Sequence, residues 1–371
     1  MASTVDWRFA RSVAERVVGD DPTPAYQRNG LEADLIELTA QAETLVATET
    51  GLVSSSGPAR ARVTDRMGWV DANLASFERL IRPLLGRVED EATRSGPSTG
   101  PLAAAGRAVD AVGGYVGPKV AGAELGGFLG WLSSRVLGQY DLLIVEDERA
   151  EDQDWVYYVA PNLLELEKRY AFPPEEFRLW IAVHECTHRA QFTGVDWLRP
   201  HFLSLVARLL DSVDTDGGQL LDSLGHAVRR YRSGDRPDWR DGGLSVLFAD
   251  EEQRLVMQQV SGLMSLLEGH GDLVMDRATA GIIPSRKRFA RVMSHRRANA
   301  SPLTRLVQRL TGIEAKLAQY EEGEAFVTAV EAAGGRELFN QVWSGPEMLP
   351  TLDEIRSPGL WLARVGVRPV V

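Results

Sequence analysis

The sequence predicts a mainly α-helical protein with a small β hairpin, an α+β fold. Apolar residues recur at steps of three and four through most of the 371-residue chain, which is the periodicity of helices that bury one face. Two short segments, 140–146 and 155–161, are instead rich in β-branched and aromatic residues, and the acidic turn DERAEDQD between them predicts a hairpin. An apolar fraction of 44% and a charged fraction of 25% are ordinary for a globular chain.

Two long helices are predicted before the first strong loop. Residues 31–51 and 66–92 place apolar side chains on one helical face. The segment TRSGPSTGP (93–101) follows, and its glycine, proline and hydroxyl residues predict a loop between structural regions. We therefore predict an N-terminal helical region, residues 1–100, and a second domain, residues 101–371.

The second domain is predicted to hold the hairpin and several more helices. A helix over 119–137 carries Gly122, Gly126 and Gly130 on one face, where the missing side chains allow another backbone to approach closely. The remaining predicted helices are 161–170, 172–194 and about 250–277.

Composition and charge exclude several classes of protein. The net charge of −11 disfavours nucleic acid and anionic membranes as partners. The most apolar run, 120–138, is interrupted by Glu124 and Arg135 and falls short of the roughly 18 uncharged residues of a spanning helix. Cys186 is the single cysteine, so no disulfide forms within the chain, and the N-terminal residues lack the apolar core of a secretory signal. These features predict a cytoplasmic protein.

One segment of the chain is basic, in contrast to the negative net charge. In SRKRFARVMSHRR (285–297), seven of the thirteen residues are Lys, Arg or His. We interpret it as a solvated basic face of a helix, with nucleic-acid or partner binding as the alternative.

The segment WIAVHECTHRAQF carries the residues that point to chemistry. It lies in the predicted helix 172–194, which has prolines and acidic residues at its start and a glycine at its end. At about 100° per residue, His184 and His188 lie on one face one turn apart, and Glu185 lies beside them. Two imidazoles at this spacing bind one Zn²⁺, and the glutamate is placed to act as general base on a metal-bound water.

The alternative is a core helix in which hydrogen bonds satisfy two histidines. Cys186 falls on the opposite face, as a buried apolar residue.

A catalytic zinc usually has three protein ligands and one open position. The extended motif HExxHxxGxxH is absent, because Gln191 and Gly194 occupy the positions of its glycine and third histidine. The third ligand must therefore come from elsewhere in the chain. The candidates are His201, His226, Glu268, His270 and His295.

The segment LLEGHGDLVMD supplies the strongest candidate. Glu268, Asp272 and Asp276 follow one another at steps of four, so they share one face of the predicted helix 250–277. We predict that Glu268 is the third ligand and that Asp272 accepts the free N–H of a zinc-bound histidine, with Asp276 one turn further on. The glycines that flank His270 allow another helix to approach. His270 itself stays open as an alternative ligand, a transition-state donor or a structural residue.

These motifs together resemble a known family. VHECTHRAQF, LLEGHGDLVMD, YEEGEAFV (320–327) and LPTLDEIRSPGLWLARV (349–365), with VLGQYDLL (136–143) upstream, are similar to the zincin-like metallopeptidases of actinobacteria and their relatives. The opening VDWRFARSVAERVVG resembles the branch named for its association with deazaflavin-coenzyme biosynthesis. The resemblance covers nearly the whole chain.

The resemblance implies a mostly helical zincin-like fold in which the HExxH helix packs against the helix of the third ligand. Its matching positions are His184, His188 and Glu268 for the metal and Glu185 for the base, and the Glu-xxx-Asp spacing is that of gluzincins. The metal-binding domain then divides into a hairpin with the HExxH helix, residues 101–195, and a C-terminal helical part, residues 196–371.

The expected function is a zinc-dependent hydrolase with one zinc per chain, acting on a peptide or small amide. The strand at 155–160 is predicted to offer an edge to an extended peptide. Packing is the default for each aromatic or His side chain near such a site, and the candidate oxyanion donors are Tyr157, Tyr158, His270 and Tyr320. The rival is a non-catalytic zinc scaffold whose site is closed by a fourth ligand such as His270 or Asp276.

Overall fold

The structure, a computed structural model, describes residues 5–20, 23–94, 101–141, 154–211, 251–298 and 313–366. It is mostly helical with one small three-stranded sheet, which confirms the predicted α+β class. The helices are α1 (Trp7–Val18), α2 (Ala25–Thr50), α3 (Arg66–Arg94), α4 (Pro101–Ser133), α5 (Ala160–Tyr170), α6 (Pro174–Gly194), α7 (Leu198–Asp211), α8 (Glu251–Ala278), α9 (Arg286–Ala298), α10 (Ile313–Phe339), α11 (Leu352–Arg356) and α12 (Pro358–Arg364). The strands are β1 (Arg60–Thr64), β2 (Gly138–Tyr140) and β3 (Trp155–Val159).

The chain divides into two compact units that are not continuous in sequence. Unit 1 consists of Met1–Ala42 and Pro58–Glu185, and unit 2 consists of Glu43–Gly57 and Cys186–Val371. The divisions therefore fall inside two helices, α2 and α6. The predicted domain boundary near residue 100 coincides with residues 95–100, which lie outside the described residues, and it stays a prediction.

In unit 1 the predicted glycine face of α4 packs on α1. A Cβ at Gly126 would lie 2.0 Å from the Ala10 carbonyl oxygen, and one at Gly122 would lie 2.6 Å from the Asp6 carbonyl oxygen. Gly130 meets Ala14 in the same way. The close backbone approach that the sequence predicts is thus confirmed, and its partner is the first helix of the chain.

The sheet of unit 1 has the strand order β1-β3-β2. β2 and β3 pair antiparallel, with Gly138 opposite Tyr158. β2 overlaps the predicted strand 140–146 only at Tyr140, and residues 142–153 lie outside the described residues. β1 was not predicted and runs parallel to β3. β3 is consequently the central strand, so the prediction that it offers an edge to a peptide is wrong.

In unit 2, helices α8 and α10 cross at two glycines. A Cβ at Gly269 would lie 2.2 Å from the carbonyl carbon of Gly323, so the helix backbones touch where side chains are absent. The apolar core beside this crossing includes Leu266, Phe326 and Trp361, all fully buried. α8 covers the predicted helix 250–277 and carries the predicted acidic face.

The remaining helix predictions match the structure closely. Residues 161–170 form α5, residues 172–194 form α6 and the basic segment forms α9. Within the described helices, none combines the length and apolarity that crossing a bilayer requires.

Candidate metal centre

Helix α6 is built so that its HExxH turn lies in buried surroundings. Pro174 is its first residue and Glu175 and Glu176 occupy the first turn, where the positive end of the helix dipole favours them. Within the motif Cys186 is buried, as the sequence predicts, and Val183 just before the motif is buried as well. The two histidines are half-buried.

Three predicted ligands come together in the structure. The group consists of His184, His188 and Glu268, each of which offers one ligand atom, and these atoms lie within 4.8 Å of one another. It is the one group of three or more potential metal ligands found in the part of the chain that the structure describes. His188 Nε2 lies 3.6 Å from Glu268 Oε2.

This donor set fits zinc. Two imidazole nitrogens and one carboxylate are a ligand combination of catalytic zinc sites. Ligand atoms that share one tetrahedral zinc at about 2.0 Å each lie about 3.3 Å apart. The distance of 3.6 Å between His188 Nε2 and Glu268 Oε2 is close to that separation.

Glu185, the predicted general base, lies against β2, an edge strand of the sheet in the described part of the chain. Its side chain is buried, and its carboxylate faces Gly138 of β2. A Cβ at position 138 would lie 2.7 Å from Glu185 Cγ and 2.8 Å from Glu185 Oε1. The carboxylate therefore occupies space that only a glycine at this position leaves open.

Gln191, which occupies the glycine position of the longer HExxHxxGxxH motif, contacts two histidines. Its Oε1 lies 2.9 Å from His188 Nδ1, and its Nε2 lies 2.9 Å from His270 Nδ1. Nε2 also donates to the Leu267 carbonyl oxygen at 3.1 Å. The signal that could have found Gln191 is its spacing, because a residue three positions after His188 lies on the same helical face.

His270 is a deeply buried imidazole two residues after Glu268 on α8. Its ring stacks on Phe339 at 5.2 Å and meets Trp343 edge-on at 5.5 Å. Burial lowers the pKa of His270 to about 3, and a protonated His188 as well as Arg277 and Arg336 act in the same direction. The ring is therefore neutral at physiological pH, and His270 is not a member of the three-residue ligand group.

The predicted supporting carboxylates occupy different environments. Asp276 is exposed and forms an ion pair with Arg286 at 3.2 Å. Asp272 is half-buried one turn after Glu268, and its role as the partner of a metal-bound histidine stays a prediction.

The candidate oxyanion donors Tyr157 and Tyr158 form hydrogen bonds within unit 1. Tyr158 shares a buried hydrogen bond of 2.8 Å with Thr39. The Tyr157 hydroxyl accepts from Arg62, and burial raises the pKa of Tyr157 although that hydrogen bond acts to lower it. The side chain of Tyr320 lies outside the described residues.

The remaining histidines considered as third ligands lie elsewhere. His201 on α7 has its pKa lowered by burial and by Arg208, and its ring packs edge-on against Trp197. His295 is exposed on α9, and His226 lies outside the described residues.

Comparison with known proteins agrees with this geometry. A family model described as "Zincin-like metallopeptidase" matches residues 5–362, nearly the whole chain. The chain belongs to the zincin-like metallopeptidase family. This membership implies a metal, usually zinc, and is consistent with enzymatic activity.

One solved structure is similar to this family member over nearly its full length. It is a crystal structure from Chloroflexus aurantiacus, described as "a putative hydrolase with a novel fold". The two chains are 31% identical, the match covers 97% of this chain and 98% of the other, and the TM-score is 0.67. No curated protein matches the sequence.

Proposed function

We propose that this zincin-like protein is a zinc-dependent hydrolase of the gluzincin type that cleaves an amide bond in a peptide or small amide. The observation that carries the proposal is the convergence of His184, His188 and Glu268, whose ligand atoms lie within 4.8 Å of one another. In this proposal they hold one zinc per chain, and Glu185 on the same helix is the general base.

The chemistry divides between the metal and the chain. When bound, zinc supplies a water whose pKa is lowered to about 7 and a Lewis acid for the substrate carbonyl. Glu185 takes the proton from the attacking water onto its carboxylate and delivers it to the leaving nitrogen. The contact with Gly138 limits where that carboxylate can lie, which keeps the base oriented for both transfers.

Strand β2 is the proposed edge for an extended substrate. In the described sheet, β2 pairs with β3 on one side, and it carries Gly138 against the base. A peptide that adds to β2 by main-chain hydrogen bonds passes next to Glu185. This replaces the central strand β3 as the substrate edge.

The rival proposal is a zinc scaffold without activity, which requires a fourth protein ligand. Its two named candidates are poorly suited in the described part of the chain. Asp276 is exposed and paired with Arg286, and His270 is bonded to Gln191 through Nδ1. These positions support a site with three protein ligands and one open position.

A Glu185→Gln variant separates the two proposals. The amide keeps the shape of the side chain but cannot accept the proton, so kcat on a cleaved peptide is expected to fall about 10²- to 10⁴-fold. Zinc content, measured by elemental analysis, is expected to stay at one per chain. An unchanged kcat with zinc retained would exclude Glu185 as the base. Absence of zinc-dependent cleavage in the parent, on a broad peptide and amide library, would favour the scaffold.

The finer expectations from the sequence belong to the same proposal. They are a cytoplasmic location, no nucleic-acid partner and membership of the actinobacterial branch linked to deazaflavin-coenzyme biosynthesis. The net charge of −11 and the single cysteine support the first two. The branch rests on the resemblance of the N-terminal segment alone.

A further inference from the structure

Gln191 stands at the centre of a polar network in unit 2 that the hydrolytic chemistry does not require. The side chain is fully buried on α6, three residues after His188. It makes three hydrogen bonds, to His188, to His270 and to the main chain of α8 at Leu267. A buried carboxamide that is hydrogen-bonded to each of these partners holds their side chains in one orientation.

The main-chain contact determines which way the amide faces. The Leu267 carbonyl can only accept, so the atom 3.1 Å from it must be the amide nitrogen of Gln191. That nitrogen has a second N–H, which donates to His270 Nδ1 at 2.9 Å. His270 Nδ1 therefore acts as an acceptor, and the proton of this neutral ring is on Nε2.

The same orientation determines the tautomer of His188. With both amide N–H groups used, the atom of Gln191 that faces His188 Nδ1 at 2.9 Å is the carbonyl oxygen. This oxygen can only accept, so Nδ1 of His188 carries the proton. Nε2 then carries the lone pair of the ring, and it is the atom that lies 3.6 Å from Glu268 Oε2.

We propose that Gln191 is a positioning residue that holds the proton of His188 on Nδ1 and so presents Nε2 to the metal, with His270 and Leu267 fixing the amide. The assignment rests on the proposed zinc site, because the Nε2 lone pair has a use only if a metal binds there. Outer contacts of this kind orient a metal-binding histidine, and their loss typically costs about 10- to 100-fold in metal affinity.

His270 has a specific part in this network. Aromatic contacts with Phe339 and Trp343 hold its ring, which in turn holds one N–H of the Gln191 amide. In this proposal His270 acts on the metal through Gln191 and His188. The proposed role of His270 is therefore to position Gln191, and not to bind the metal or donate to the transition state.

The test measures the tautomer in the metal-free protein and the zinc affinity separately. With histidine-selective ¹⁵N labelling, six histidines give long-range ¹H–¹⁵N correlations that distinguish the two tautomers. The metal-free parent is expected to show His188 protonated on Nδ1. Protonation on Nε2 in the parent would overturn the proposal, whatever the behaviour of any variant.

Two substitutions at position 191 probe the acceptor. Gln191→Met removes the hydrogen bonds at similar size, and we expect zinc affinity in a chelator competition to fall about 10- to 100-fold, with His188 shifting toward Nε2 protonation. Gln191→Glu keeps the acceptor for His188 but loses the N–H groups that face Leu267 and His270, so it is expected to retain the Nδ1–H tautomer and to bind zinc with an affinity between those of the parent and Gln191→Met. The matched control is Gln259→Met on the exposed face of α8, which should change neither quantity.

The outcomes distinguish this proposal from the proposed function. If the parent binds zinc and Gln191→Met binds it equally tightly with an unchanged tautomer, Gln191 is structural and the positioning role is wrong, while the zinc site stands. If the parent binds no zinc, the proposed function fails, and with it the purpose of the positioning. The tautomer of metal-free His188 then still decides whether Gln191 fixes its proton.

Discussion

Helix α6 carries two kinds of site that contact acidic side chains. In the arginine sites the chain itself supplies the positive charge, whereas in the candidate metal centre an added metal ion would supply it. Near its beginning in unit 1, Arg178 donates to both carboxylate oxygens of Glu167 at 2.7 and 2.8 Å and also pairs with Asp34. Eleven positions later in unit 2, Arg189 pairs with Glu43 at 2.6 Å and donates to the Gly57 carbonyl oxygen. At these two places the chain itself supplies the cation.

The candidate metal centre between them is built differently. There a carboxylate, Glu268, converges with two imidazoles, His184 and His188. Neutral imidazoles offer lone pairs and no positive charge, so the set suits an added metal ion. The charged arginines of this helix thus stabilise the fold, whereas the histidines are suited to bind a metal ion.

The pKa of Arg178 illustrates how an arginine site stabilises the fold. Burial acts to lower it, but the hydrogen bond and charge of Glu167, together with Asp34, outweigh burial and raise it above its ordinary value. The guanidinium therefore stays charged at every pH at which the protein is folded. Such a site cannot release its cation.

The largest effect on stability is expected from Arg189→Met. The side chain is almost completely buried, and its removal leaves Glu43 and a main-chain carbonyl without this donor. Because breaking a buried ion pair costs about 3–5 kcal/mol, and Glu43 is partly exposed, we expect the free energy of unfolding to fall by about 3 kcal/mol. Denaturant unfolding of the zinc-free protein measures the change.

The matched control for Arg189 is Arg336→Ala, which removes an exposed pair with Glu49. Arg336 is 45% exposed, so the loss should stay within about 1 kcal/mol. If the two substitutions lowered the free energy of unfolding equally, burial of Arg189 would not explain its contribution to stability.

A smaller effect, on activity instead of stability, is expected from Gly138→Ala. The added methyl group would occupy space within 2.8 Å of Glu185 Oε1, so the carboxylate must move. A displacement of about 1 Å in a catalytic group costs about 10²-fold, and kcat should fall by that factor with zinc retained. Gly127→Ala, whose methyl group meets open space, should leave kcat unchanged. Equal activity of Gly138→Ala and the parent would show that this contact does not orient the base.

The helices and the grouping of His184, His188 and Glu268 could be predicted because their signals are local. Apolar periodicity and end residues define α6 and α8 in a short window, and the spacing of His184 and His188 determines their common face. Glu268 was found because a buried helix that carries carboxylates at steps of four requires an explanation.

The missed features depend on contacts between distant residues. Strand β1 is only five residues long and two of them are arginines, so its pairing with β3 about 95 positions away leaves no local signal. The role of Gln191 depends on the crossing of α6 and α8 near Leu267, which no single segment reveals. Gly138 could not be linked to Glu185 for the same reason.

The most direct test of the central claim is the zinc content of the purified protein and two variants. We predict one zinc per chain in the parent and loss of tightly bound zinc in both His184→Ala and Glu268→Ala, with each variant still folded by circular dichroism. Asp276→Asn, on the exposed face of α8, should retain the metal. Full zinc occupancy in Glu268→Ala would contradict the account, because a ligand outside the His184, His188 and Glu268 group would then hold the metal.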